Sequence, residues 1–548
     1  MEHIRQFDWC FSQPDIYFLK EDDLANSVTE KILRNKFYDP LISSDSEDEN
    51  ITINWDEVFT KKENGIIESG GERRHESIMP FVVAAYESVI LQGASIYVSN
   101  QKCKDDLESS QSCSANSTQV CSEWLYDDPD SFVAYFQLAC HEWKRTLVGT
   151  VHSFGYMCGL LLVGPMSDRL GRKTAVIITG ILGGFFGIVR SFSMWYWFYI
   201  AMEFLEAAIG DCCSPMYVLT IEIVSTKKRL VFYMMCGFGY CFGGMALSLF
   251  AWLTPNWRWF LRAIYLPTFL FFTYIYLLDE SPRWLLTKGR KEKAVAILEK
   301  AAKKNNIVLE KDVLEKLSCE VSPDVPYKQL LKDTFKSSKL RRRFFVCLVW
   351  WTASTFVNYG MIINSVSLQG NKYLNFALVA SVEIPANIIV TYILINFKRK
   401  LPLMFSFFIG AVLCLALPFI PVDLPWISIS FFMAGKLMSS FFFAITYMYT
   451  SELFPTYTRN SMHALCSSLG RIGSIIAPQT PLLITYWSGL PSLVFGTVSF
   501  LAGLTTFLVP DVSDDLLPDT VVQAEALGKS KIPSKALENY NEGDISQL

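Results

Sequence analysis

Gly164-Pro-Met-Ser-Asp-Arg-Leu-Gly-Arg-Lys173 is the stretch whose reading decides the fold. It sets Asp168, Arg169, Arg172 and Lys173, with Gly164 and Gly171, between two long apolar runs. It is too short to be a domain. A charge cluster with two glycines, held between two membrane-length segments, reads as a tight loop at a membrane face.

The composition around it agrees. Of 548 residues, 51% are hydrophobic, 14% aromatic and only 19% charged, with a mean hydropathy of +0.26. The apolar residues come in blocks of about 20, the length that crosses a bilayer as a helix. The charge is confined between the blocks, so the net charge of −4 carries little information. No signal-peptide-like apolar core precedes the first block, so the first span is expected to direct insertion itself.

Outward from the opening stretch, the spans fall near 79–98, 146–165, 174–192, 196–221, 231–253 and 260–278, then 344–364, 373–396, 402–420, 425–449, 461–485 and 490–509. The expected organisation is a polar N-terminal region 1–78, a first lobe of six transmembrane helices over 79–278, a linker 279–343, a second lobe of six over 344–509 and a tail 510–548. The linker portion 290–317 has the helical spacing of an interfacial helix. Lys and Arg crowd the loops at 164–173, 227–229, 279–343, 398–400 and 459, and nearly avoid the alternate ones, which puts both termini in the cytoplasm. The loop 99–145 then lies outside. It carries Cys103, Cys113, Cys121 and Cys140, whose pairing spacing does not choose, and a glycosylation sequon at Asn116. The fold class is an all-α polytopic membrane protein, and two six-span halves are typical of secondary transporters.

Ionisable residues inside a bilayer cost about 2.5–3.5 kcal/mol each on insertion scales, so each is a functional candidate. Arg471 lies roughly 15 Å into the eleventh span, near mid-membrane, between Gly470 and Gly473. Either it is tied to a carboxylate or carbonyl of its own lobe, or its two-pronged guanidinium meets an anionic substrate group. Asp211 lies roughly 22 Å into the fourth span. Either it caps the chain near Pro215 or pairs with a base, or it meets a substrate ammonium. If both face the cavity the site is bipolar and suits a small zwitterion. Glu383 and Lys436 are a second acid and base within spans, and Lys436 either pairs with Glu383 or meets an anionic substrate. Glu203 and Glu206 also lie in the fourth span, where Glu203 is either a coupling-proton site or the buried partner of Arg190 or Lys436. The aromatics Trp350, Trp351, Phe356, Tyr359 and Phe441 to Phe443 serve either packing or an ammonium by cation–π attraction. Asn358 and Tyr217 complete the expected substrate-binding set.

Several motifs resemble one family. Gly164 to Lys173 is similar to the loop between spans two and three of the major facilitator superfamily. Glu280-Ser-Pro-Arg-Trp-Leu285, Asn256-Trp-Arg-Trp259, Tyr449-Thr-Ser-Glu-Leu-Phe-Pro-Thr456, Leu517-Pro-Asp-Thr520 and Trp55-Asp-Glu-Val58 together resemble its organic cation/anion/carnitine transporter family, over about 55–520. The resemblance implies two lobes around a cavity that opens to each side in turn, with no covalent chemistry. It implies a gating latch of Asp168, Arg169, Gly171, Arg172, Glu222, Glu280, Arg283, Glu452 and Arg459, with Asp168 at a neighbouring helix start and Arg169 and Arg172 facing acids such as Glu222. Asn396-Phe-Lys-Arg-Lys400, at the equivalent place in the second half, lacks the acid and the glycine, so the latch is expected to be lopsided. Arg471 stands where cation carriers of the family tend to have Asp, which points to anions or zwitterions. Glu203-Phe-Leu205 stands where the family often has Arg-Phe-Leu.

The expected function is therefore secondary transport of small organic ions by alternating access. An organic cation carrier and a non-transporting sensor are the rivals. The expected partners are the substrate, a coupling ion or exchanged counter-substrate, and the lipid bilayer. No cofactor, metal cluster, nucleotide loop or nucleophile elbow is visible, and no basic stretch suits nucleic acid.

Overall fold

The computed structural model describes residues 101–103, 124–126, 129–223, 226–304, 335–421, 423–511, 524–525 and 527. The N-terminal region 1–78, the first span, Asn116 and most of the linker lie outside these residues.

The described chain is helical apart from one two-stranded ribbon, in which β1 (Gln101–Cys103) pairs antiparallel with β2 (Trp124–Tyr126). Cys140, beyond the ribbon, is disulfide-bonded. Span 2 is α1 (Glu142–Leu170) and span 3 is α2 (Arg172–Ser191). Span 4 is two helices, α3 (Tyr196–Ile209) and α4 (Cys213–Ile223). Span 5 is α5 (Thr226–Leu253). Span 6 is α6 (Trp257–Tyr265), a 3₁₀ stretch Leu266–Thr273 and α7 (Tyr274–Leu277). In the linker, α8 (Pro282–Thr287) and α9 (Lys291–Lys304) follow. The second lobe contains span 7, α10 (Ser338–Asn364), and span 8, split into α11 (Lys372–Ser381) and α12 (Glu383–Asn396). Span 9 is α13 (Lys400–Ala416) and span 10 is α14 (Pro425–Glu452). Span 11 is α15 (Thr456–Gly470), α16 (Ile472–Ile476) and a 3₁₀ stretch Ala477–Thr485; span 12 is α17 (Leu490–Thr505).

The opening stretch is less of a loop than its composition suggests. α1 runs through Pro165 to Leu170 and α2 begins at Arg172, so the turn is Gly171 alone. Its φ of +105° and ψ of 154° belong to a region that side chains disfavour.

Spans 2, 3, 4 and 6 pack through small residues. A Cβ at Gly155 or Gly159 would meet the Phe204 or Ala208 carbonyl within 2.9 Å, and Gly183 lies against Gly210. Such close backbone approach is how helices associate in lipid, where apolar burial gives little preference. Span 7 is buried over most of its length, and the other long spans keep an apolar side exposed. The exposed Trp195, Trp197, Trp252, Trp259, Trp426 and Trp487 all lie at the end of the bundle away from Gly171, as an interfacial aromatic belt would.

The lobes meet at that far end. Gln479 Nε2 donates to Thr150 Oγ1 (2.6 Å), Thr146 Oγ1 donates to Gln479 Oε1 (2.9 Å), and Ser248 Oγ donates to the Tyr373 carbonyl (2.5 Å). Span 2 thus meets span 11 and span 5 meets span 8, the exchange expected of two halves related by an approximate two-fold axis.

Candidate functional site

Three spans are interrupted where a charged candidate sits. In span 4, α3 ends at Ile209 and Asp211 caps α4: its carboxylate accepts from Ser214 N (3.1 Å) and Ser214 Oγ (2.6 Å). Pro215, lacking an N–H, cannot continue the ladder back to Asp211. In span 8 the break precedes Glu383, and Pro385 plays the same part. In span 11 it falls at Arg471, and Gly470 and Gly473 press against Trp351, Thr352 and Phe356 of span 7. Thr355 Oγ1 takes the Gly470 carbonyl (2.7 Å), satisfying part of the opened ladder. The apolar blocks gave no sign of these breaks; the prolines and glycines inside them were the available signal. Discontinuous helices at membrane depth are tolerated where they line a cavity or are buried in protein.

Two constellations follow. At the lobe interface, the buried Arg471 donates to Tyr359 Oη (3.1 Å) and lies 5.0 Å from the Tyr156 ring of span 2. Asp211 is buried too, and close enough to Arg471 for the two charges to interact across the lobes. Within the second lobe, Lys436 Nζ donates to Glu383 Oε1 (2.5 Å) and to Asn358 Oδ1. Ser440 Oγ also donates to Glu383 (2.8 Å), and Ser439 Oγ to Asn358 (3.2 Å). Lys436 is fully buried, whereas the Glu383 side chain is 17% exposed. Glu383 and Lys436 line a small cavity with Tyr240 and Cys241 of span 5 and Ile362, Phe376, Val379 and Ala380.

The structure places Trp351 in packing: its indole N–H donates to Thr450 Oγ1 (3.1 Å), and Phe443, Tyr447 and His463 surround its ring. Tyr217 is half-buried on α4. The Arg459 side chain lies outside what the structure describes.

At the Gly171 end, Arg172 bridges Asp168 (2.6 Å) and Glu222 (3.4 Å) and donates to the Ser167 carbonyl (3.1 Å). Two expectations shift. Glu280, not Asp168, receives the helix start, accepting from Lys173 N (3.1 Å) and Ser281 N (3.0 Å). Asp168 instead takes Arg172, and its carbonyl takes the Trp284 indole (2.8 Å). Arg169 is exposed and forms no ion pair among the described residues. Arg283 lies near Glu222. The second half is less depleted than its sequence implied. Arg399 bridges Glu452 (3.3 Å) and the Leu394 carbonyl (2.8 Å), as Arg172 bridges Glu222 and Ser167. In each lobe the arginine reaches back five residues and across to the end of the fourth or tenth span. Among the described residues the second lobe shows no counterpart of Asp168, of the Gly171 turn or of the Glu280 and Trp284 contacts.

Sequence reasoning paired Glu203 with Arg190 or Lys436; Arg190 is the partner. It missed His152, which joins the same cluster (2.9 Å to Glu203). Ligand atoms of His152, Glu203 and Glu206 lie within 4.8 Å of one another, but the Arg190 guanidinium already sits against both carboxylates.

Residues 81–513 match the family described as Sugar (and other) transporter. The organic cation transporter protein of Drosophila melanogaster is 30% identical over 476 residues, 82% of this chain and 86% of that protein. Solute carrier family 22 member 1 of Bos taurus is 31% identical over 425 residues, 75% and 74%. Among solved structures, the inward-open xylose transporter XylE from E. coli superposes with a TM-score of 0.55 at 16% identity, over 82% of this chain and 99% of that one. Its partially occluded inward-open form gives 0.53, over 81% and 100%.

Proposed function

The chain belongs to the sugar (and other) transporter family, in the organic cation/anion/carnitine branch of the major facilitator superfamily, and from that premise we propose that its substrates are small zwitterions or organic anions. It is a multi-pass membrane protein that carries small organic ions rather than an enzyme. The plasma membrane with both termini cytoplasmic is the proposed setting, and a coupling ion or exchanged counter-substrate the proposed drive.

The observation that carries the substrate reading is the buried Arg471–Asp211 relation across the lobes, at the breaks of spans 11 and 4. A zwitterion inserted between them gives each charge a new partner, its carboxylate on Arg471 and its ammonium on Asp211, without leaving a buried charge unmatched. An anion is tolerated because Ser214 already supplies Asp211 with two hydrogen bonds. A simple cation between the same residues meets Arg471 and is repelled.

One observation favours a second reading, an organic cation. Glu383 and Lys436 both line the cavity beside Tyr240 and Phe376, and Glu383 is the more exposed of the two. An ammonium there gains a carboxylate and aromatic faces.

Uptake of carnitine, β-alanine, p-aminohippurate and tetraethylammonium by cells expressing the chain separates the two. Zwitterion or anion uptake that Arg471→Asp abolishes supports the first reading. Strong tetraethylammonium uptake by the unmutated chain that Glu383→Gln abolishes overturns it in favour of the second.

A further inference from the structure

The far half of the first lobe holds a second set of buried ionisable groups, apart from the constellations assigned to substrate. His152 of span 2, Arg190 of span 3, and Glu203 and Glu206 of span 4 are each at most 5% exposed. His152 Nδ1 is 2.9 Å from Glu203 Oε1 and 3.7 Å from Glu206 Oε2. Arg190 pairs with Glu203 and lies 3.8 Å from Glu206 Oε2. It also donates to Tyr265 Oη of span 6 (2.8 Å), and the Tyr199 and Tyr265 rings flank its guanidinium at 5.4 and 5.2 Å. Tyr265 hydrogen-bonds Glu206 as well. The next cations, Arg258 and Arg262 of span 6, are engaged at the span ends by the Ser193 carbonyl (2.8 Å) and Ser191 Oγ (3.1 Å). Those are the charged and titratable groups facing the cluster from spans 2, 3, 4 and 6 among the described residues.

The charges do not balance without a proton. Two carboxylates against one guanidinium leave one negative charge while His152 is neutral, and an unmatched charge at this depth is costly. One added proton makes the cluster neutral. A neutral His152 with hydrogen on Nδ1 already serves Glu203, so the proton has two places to go, His152 Nε2 and Glu206 Oε2. Those are the two carboxylate or imidazole atoms of the cluster that are buried without a hydrogen-bond partner among the described residues. A divalent cation in the same place would have to displace Arg190.

We infer that His152, Glu203, Glu206 and Arg190 form a proton-binding site that takes up and releases one proton in each transport cycle. Its connections favour coupling. Tyr156, one turn along span 2 from His152, carries its ring against Arg471 of the other lobe. The Glu206 carbonyl accepts from Gly210 N (2.7 Å), at the break of span 4 beside Asp211. A proton gained or lost here changes the charge beside both the lobe contact and the broken helix.

The cycle rests on the transporter reading; the proton site does not, and the two are tested separately. Infrared difference spectroscopy of the full chain in lipid nanodiscs, titrated from alkaline to acid, follows carboxyl and imidazole bands without any substrate. The unmutated chain is expected to gain one buried carboxylic acid or imidazolium, and Glu206→Gln and Glu203→Gln each to lose that change. Cluster bands indifferent to pH in the unmutated chain, or a change that survives both variants, overturn the site. In vesicles, an inward proton gradient should stimulate uptake of whichever of carnitine, p-aminohippurate or tetraethylammonium the chain carries, and Glu206→Gln should remove the stimulation. Uptake indifferent to the gradient overturns the coupling. Uptake of none of the three counts against the substrate reading, while the infrared result still decides the proton site.

Discussion

Replacing Lys436 by Met removes a charge that the structure ties down on every side. The ammonium is fully buried, held by Glu383 Oε1 at 2.5 Å and by Asn358 Oδ1. Met fills nearly the same volume, so packing changes little. What changes is that, among the described residues, Glu383 keeps only Ser440 Oγ, at 2.8 Å, for a carboxylate whose side chain is 17% exposed. Leaving one partner of a buried ion pair behind costs about 3–5 kcal/mol. Glu383→Gln alone strands the ammonium, which is the more deeply buried of the two, and should cost at least as much. Removing both charges, in Lys436→Met with Glu383→Gln, leaves Ser440 an amide oxygen to donate to and Asn358 Oδ1 the Ser439 hydroxyl, so what is lost is the two hydrogen bonds that Lys436 donated, at about 1 kcal/mol apiece. The double variant is therefore expected to be more stable than either single. The measurement is the temperature at which half of the detergent-purified full chain stops running as a monodisperse peak on size exclusion. A double variant less stable than both singles, as if the two losses simply added, refutes the idea that the pair is held together by mutual charge compensation.

Further outcomes follow from the same geometry. Gly171→Ala forces a side chain into a backbone region that suits glycine, at about 1–3 kcal/mol, and its Cβ would fall on the Glu280 carboxylate. The thermal midpoint should drop, and an unchanged midpoint contradicts the single-residue turn. Gly470→Ala would set its Cβ 2.6 Å from Trp351 Cβ; overpacking of this kind costs about 1–3 kcal/mol and should lower the yield of folded protein. Asp168→Ala and Arg399→Ala each loosen one lobe at the Gly171 end and should slow uptake without reordering substrate preference, so a changed ranking in a competition assay counts against the separation of latch from site. Asp211→Asn should depress zwitterion uptake more than anion uptake, and equal effects on both remove Asp211 from substrate contact.

How much was legible in the sequence differs by kind of feature. Apolar blocks gave spans 2 to 12, the ones within the described residues, because a bilayer imposes a length on every helix that crosses it. The acid and base residues at Asp211, Glu383, Lys436 and Arg471 stood out for the same reason, as charges where charge is costly. What the blocks concealed is lateral. Arg190, Glu203 and His152 sit on three different spans, and nothing in their spacing chooses Arg190 over Lys436 for Glu203 or brings His152 to them. The Arg399–Glu452 bridge was hidden because a short basic run without acid or glycine does not look like Gly164 to Lys173, although the same arginine geometry recurs. Breaks in spans 4, 8 and 11 were concealed because proline and glycine are common in membrane helices that do not break.

The charge content of span 4 has a consequence for how the protein is made. α3 and α4 are 14 and 11 residues long, each shorter than the ~20 residues that cross a bilayer. Span 4 as a whole carries Glu203 and Glu206 on α3 and Asp211 in the break, each costing about 2.5–3.5 kcal/mol to leave in lipid, with Glu222 near the end of α4. Presented to the insertion machinery by itself, span 4 is a poor membrane segment. Beside span 3 it brings Glu203 to Arg190, and beside span 2 to His152. The nascent chain is thus expected to hold spans 2 and 3 at the lateral exit until span 4 arrives, and to release the three into lipid together. Truncation just after residue 195 would then leave Arg190 without its acid, and the orphaned helices would be substrates for membrane quality control rather than a stable intermediate.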